Sequence, residues 1–91
     1  MQTVIERSAA LDVHKASVTA CVRVPGEQCV EEFASTVRGL LALRDWLAAF
    51  GVTHVAMEAS GVYWKPVYYA LEAKFAVWLC NARHVKKVAL V

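Results

Sequence analysis

The sequence predicts an α/β fold from three observations: short alternating apolar segments at the start, one apolar stripe at helical spacing, and then strand and helix patterns in turn. A chain of 91 residues allows one domain, 1–91, that buries roughly 60% of its unfolded surface. With 58% apolar and 20% charged residues, it is too hydrophobic for a disordered segment. It is also apolar enough to suggest a partner surface. A net charge of +2 does not by itself imply nucleic acid.

Each element has its own signal. Ala9 to His14 is an apolar strand around one acid. Ser17 to Val24 alternates, with Val18, Ala20, Val22 and Val24 on one face. Pro25-Gly26 supplies the residues of a type II turn, and Cys29 to Phe33 is a third strand that Glu31-Glu32 places at an edge. Ser35 or Thr36 caps a helix from Thr36 to Phe50, with Val37, Leu40, Leu41, Leu47 and Ala48 on its stripe and Gly51 after it. Asp45 is a solvated acid paired with its neighbours.

Val52 to Glu58 is short and apolar, as for a strand buried on both faces. Pro66 suits the first turn of a second helix running to about Lys74, with Val67, Ala70, Leu71 and Phe75 inward. Phe75 to Cys80 is a fifth strand, and Asn81 caps a final helix from Ala82-Arg83. The order β-β-β-α-β-α-β-α describes a mixed five-stranded sheet, three antiparallel strands followed by two parallel crossover units. Right-handed crossovers place the first strand centrally with the fourth beside it, the strand order of the ribonuclease H-like fold.

Asp12 lies between Leu11 and Val13, and burying a lone carboxylate is costly unless it is paired or metal-bound. Glu58 closes the fourth strand at its carboxyl end, where α/β sheets present ligands. Taken singly, either acid reads first as a loop cap or an ion-pair partner. If the two strands are neighbours, both carboxylates point at one spot and suit a divalent cation. Two carboxylates are too few to cage two ions, and no Asp or Glu occurs from Ala73 to Val91.

Other residues have two readings. His14 shares a strand face with Asp12, so it bonds that carboxylate or lines the site. Tyr63 and Trp64 precede the second helix and could stack on bases, or fill the core. Lys15 and Lys65, with the run Arg83, His84, Lys86 and Lys87, could meet phosphates or be solvated charges. Ser60-Gly61 is a phosphate-approach loop or a tight turn. No segment reaches the roughly 20 apolar residues of a membrane span, and Glu6 stands where an export signal wants basic residues. Cys21, Cys29 and Cys80 read as small buried thiols in a reducing cytoplasm.

Leu11-Asp12-Val13-His14-Lys15, the stretch Met57-Glu58-Ala59-Ser60-Gly61-Val62-Tyr63-Trp64-Lys65-Pro66-Val67-Tyr68, and Asn81-Ala82-Arg83-His84-Val85-Lys86-Lys87-Val88 together resemble one family. It is that of the DEDD transposases of the insertion-sequence 110 type, whose N-terminal domain is RuvC-like. The resemblance implies an RNase H-like domain with four acids holding Mg²⁺ or Mn²⁺, Asp12 matching the first and Glu58 the second. It further implies DNA as partner, a structured guide RNA in some branches, self-association of the intact protein, and DNA recombination as the activity.

The chain departs from the pattern at Ala89-Leu90-Val91, where the family continues toward an Asp-x-x-Asp segment. The expectation is a domain truncated in its last helix, with little activity alone. The alternative is a non-catalytic module binding nucleic acid or protein.

Overall fold

The computed structural model describes residues 5–59 and 61–80. Alternation at period two organises the sheet. In β2 (Ser17–Val24), Val18, Ala20, Val22 and Val24 all turn to one face and are buried there. In β1 (Ser8–Val13), Ala9, Leu11 and Val13 do the same. The chain continues through β3 (Glu27–Ala34), α1 (Val37–Ala49), β4 (His54–Ala59), α2 (Trp64–Leu71) and β5 (Ala76–Cys80).

The strand order is β3-β2-β1-β4-β5, as expected. β1 pairs antiparallel with β2 and parallel with β4, β2 pairs antiparallel with β3, and β4 pairs parallel with β5. Both helices pack on one face. Leu40, Leu43 and Leu47 of α1 join Val67 and Leu71 of α2, Val55 and Met57 of β4, and the inward residues of β1 and β2 in one core. Burying each such side chain contributes about 1.5–3 kcal/mol. Among the described residues, no helix packs on the opposite face.

Thr53 stitches the entry to the parallel half. Its N–H donates to Arg7 O (3.0 Å), its carbonyl accepts from Ala76 N (2.9 Å), and the Arg7 guanidinium donates to Phe50 O at 2.5 Å.

Several expectations need correction. β4 is not buried on both faces: Val55 and Met57 are, but Glu58 is exposed, because the helices cover one side only. For the same reason Asp12 is not enclosed, its side chain being 59% exposed. The stripe of α1 is Leu40, Leu43 and Leu47. Val37, which opens the helix, is 78% exposed, and Leu41, about 100° round from Leu40, is 40% exposed. β3 starts at Glu27 rather than Cys29, since Pro25-Gly26, with Gly26 at φ 80°, reverses the chain in two residues and lets Val24 pair Glu27. α2 has Pro66 in its first turn as expected, but Trp64 opens the helix rather than preceding it, and the helix ends at Leu71, short of Lys74. All three cysteines are free, and only Cys80 is buried; Cys21 and Cys29 are half-buried. Asn81 and the final helix fall on residues 81–91, outside those described.

Thr36 caps α1, its Oγ accepting from the Gly39 N–H at 3.0 Å. In an ordinary helix Gly→Ala gains about 0.5–1 kcal/mol. At Gly39 a β-carbon would run into the backbone carbonyl of Ala34, which cannot swing aside as a side chain would. Gly39→Ala is therefore expected to destabilise by about 1–3 kcal/mol, measured by urea unfolding.

Candidate metal and nucleic-acid site

The pairing registers sort the face opposite the two described helices into rows that run across all the strands. At one end, Glu32, Thr19, Asp12, Glu58 and Cys80 lie side by side on successive strands. The middle row is Val30, Cys21, Ala10, Ala56 and Trp78, and the far row is Gln28, Arg23, Ser8, His54 and Ala76. One end is thus acidic, the middle apolar and the far end mixed. A groove of about 330 Å³ runs over the lower two rows between Arg23, Ala10, Ala56 and Trp78. His54 stands edge-on to Trp78 there, with ring centroids 5.7 Å apart.

Asp12 and Glu58 are direct register partners in the parallel β1–β4 pair. Neighbouring strands run about 4.8 Å apart, and metal–oxygen bonds are about 2.0–2.6 Å, so two adjacent carboxylates can reach one ion. Both are solvated, so neither bears the cost of an unpaired buried charge. His14 Nε2 donates to Asp12 Oδ2 at 3.1 Å. Glu32 shares the row but sits two strands from Asp12, about 10 Å away at that spacing. Accordingly no cluster of three or more His, Cys, Asp or Glu able to hold a metal occurs among the described residues.

Lys15 is exposed in the β1–β2 turn, next in sequence to His14. Past the carboxyl end of β4 come Gly61, at φ 58°, and then Tyr63 (40% exposed) and Lys65, also exposed. Trp64 is half-buried, edge-on to Tyr68 with centroids 5.9 Å apart and packed against the core. The aromatics therefore divide: Trp64 and Tyr68 support the core, while Tyr63 and Tyr69 face solvent. Asp45 pairs with Arg44 at 3.2 Å, well away from this row. Ser60, Arg83, His84, Lys86 and Lys87 lie outside the described residues.

Sequence reasoning missed Cys80, Thr19 and Glu32 as members of the acidic row. A partial signal was available: Cys80 closes the predicted fifth strand as Glu58 closes the predicted fourth, and aligning the carboxyl ends of these parallel neighbours places them side by side. Burial, the larger effect, and the Glu58 charge push the Cys80 thiol pKa up, against a backbone hydrogen bond at Met57 that lowers it.

A model of a transposase family, the DEDD insertion-sequence 110 type, matches residues 9–90. No curated protein matches the sequence. The fold is similar to that of T. thermophilus RuvC, solved in complex with Holliday junction substrate: TM-score 0.62 at 16% identity, covering 90% of this chain and 68% of that one. At that identity the likeness shows the fold, which is RuvC-like and so ribonuclease H-like. A weaker likeness, TM-score 0.46 at 14% identity, is to the Aquifex aeolicus member of the Ppx/GppA family, covering 87% of this chain and 36% of that one.

Because Glu58 raises the Cys80 pKa, Glu58→Gln should lower it. Alkylation of Cys80 by iodoacetamide, followed by mass spectrometry at mildly alkaline pH, is expected to be faster in the variant than in the parent chain.

Proposed function

Because this chain belongs to the transposase family of the DEDD insertion-sequence 110 type, we propose that Asp12 and Glu58 hold one hard divalent cation, Mg²⁺ or Mn²⁺, against a DNA phosphate. The observation that supports this reading most directly is their register pairing on the sheet face that neither described helix covers. The donor set fits such an ion: carboxylate oxygens are hard ligands, and Mg²⁺ commonly takes one or two carboxylates, fills its shell with water and accepts substrate phosphate. When bound, the ion supplies charge stabilisation at phosphoryl oxygens.

The remaining steps belong to the chain's own side chains. Asp12 and Glu58 would supply the carboxylate oxygens that hold the ion. Lys15, in the turn after β1, and Lys65, in the first turn of α2, are both exposed and neutralise nearby phosphates. Tyr63 offers a face for a base. Trp64 acts through the packing that holds this segment, and Arg83, Lys86 and Lys87 join the basic set on sequence alone. A structured RNA partner and self-association rest on the family resemblance.

The family resemblance implies metal-dependent DNA recombination, and we read this chain as DNA-binding with little cleavage of its own. A two-ion clamp on the attacking and leaving oxygens needs more oxygen ligands than two carboxylates provide.

Fluorescence anisotropy with a labelled four-way DNA junction tests the reading. Without cation the two carboxylates repel the phosphates, so wild-type affinity should rise when Mg²⁺ is added. The double variant Asp12→Asn/Glu58→Gln should bind tighter than wild type in EDTA and gain nothing from Mg²⁺. No strand should be cut. Cleavage abolished by Asp12→Ala would overturn the inactivity, and a wild type indifferent to cation would overturn the site. A chain that binds neither DNA nor cation, yet self-associates through the apolar middle row, would be the interaction module instead.

A further inference from the structure

We propose that His14 is a positioning residue for the site: its imidazole fixes one oxygen of Asp12 so that the other is presented to the cation shared with Glu58. The inference rests on the proposed metal site and adds to it a residue that is not a ligand.

The geometry begins with the backbone. β1 ends at Val13, and the chain turns through His14, Lys15 and Ala16 into β2. That turn is tied at both ends. The His14 N–H donates to Ser17 O at 2.9 Å, and the Ser35 N–H donates to Ala16 O at 3.0 Å, anchoring the turn to the exit of β3. His14 therefore projects its ring from a fixed base. Two residues on from Asp12, it stands on the same side of the strand, and its Nε2–H reaches Asp12 Oδ2 at 3.1 Å.

Asp12 needs such a partner. A solvated aspartate moves among rotamers about its two side-chain torsions, and a carboxylate that must meet an ion at one spot loses affinity through that freedom. Binding Oδ2 removes much of it and leaves Oδ1 to accept a second partner.

The attraction itself contributes little, since the two side chains are 61% and 59% exposed and exposed ion pairs are screened. The effect lies in orientation, as for the hydrogen-bond partners that aim metal ligands elsewhere. The bond also argues against His14 as a ligand through Nε2. A carboxylate only accepts, so Nε2 carries the proton and has no lone pair to give.

Mn²⁺ binding by the full chain, followed by the electron paramagnetic resonance signal of the free ion, tests this. His14→Ala should weaken binding about three- to tenfold, less than the roughly 10- to 100-fold typical of partners to metal ligands, because this pair is solvated. His14→Gln, which keeps an N–H donor, should recover most of the loss, with circular dichroism unchanged in both.

An affinity unchanged in His14→Ala but lost in Asp12→Asn would overturn the inference and leave the metal site standing. Equal loss in His14→Ala and His14→Gln would make the ring a ligand and overturn positioning. A wild type that binds no Mn²⁺ would overturn the site and the inference together.

Discussion

The parallel pairing of β1 with β4 is the constraint on which everything else depends. Asp12 meets Glu58 only because Leu11 meets Met57 and Val13 meets Ala59 in the same ladder. A strand's side chains alternate, so a slip of one residue would turn one acid into the core and the other away from it. What forbids that slip is apolar. Ala9, Leu11, Val13, Val55 and Met57 are all buried beneath the helices, and moving any set of them to solvent would forfeit several kcal/mol on the order of 1.5–3 per large side chain. The core thus sets the positions of two carboxylates that never touch it.

The same division explains how the acids are tolerated. α1 and α2 cover one face, leaving Asp12 and Glu58 hydrated on the other. No compensating charge is required inside the protein, and none is buried: the core holds no buried polar or charged residue among those described. Below the acids, small residues in the middle row, Ala10 and Ala56 beside Cys21, leave a shallow groove bounded by Trp78. The acidic row at the strand ends and the apolar floor beneath it are therefore products of one alternating pattern.

Much of this was legible in the sequence. The β2 alternation, the Pro-Gly turn, the order of elements and the neighbourhood of Asp12 and Glu58 all follow from period and connection rules. That the two described helices share one face was not legible, because Ala10 and Ala56 count as apolar whether a helix lies over them or water does. The stripe of α1 was displaced for a related reason: Val37, Leu40, Leu41 and Leu43 offer two overlapping helical faces, and only the sheet decides between them. The aromatics after β4 could not be divided from spacing alone, since Trp64 and Tyr68 form an edge-on pair four residues apart while Tyr63 points to solvent. The hydrogen bond from His14 to Asp12 was open to the period-two count, but its distance was not.

The most direct measurement is Mn²⁺-induced broadening of backbone amide resonances, which reports an ion's position by proximity. The account predicts that the amides of Asp12, Val13, Glu58 and Ala59 broaden first. Those of Ser8, Arg23 and His54, about 13 Å down the strands, should stay sharp until much more Mn²⁺ is added. Broadening centred on Glu31-Glu32 at the β3 edge, or spread evenly over the chain, would contradict the claim that Asp12 and Glu58 share one cation site.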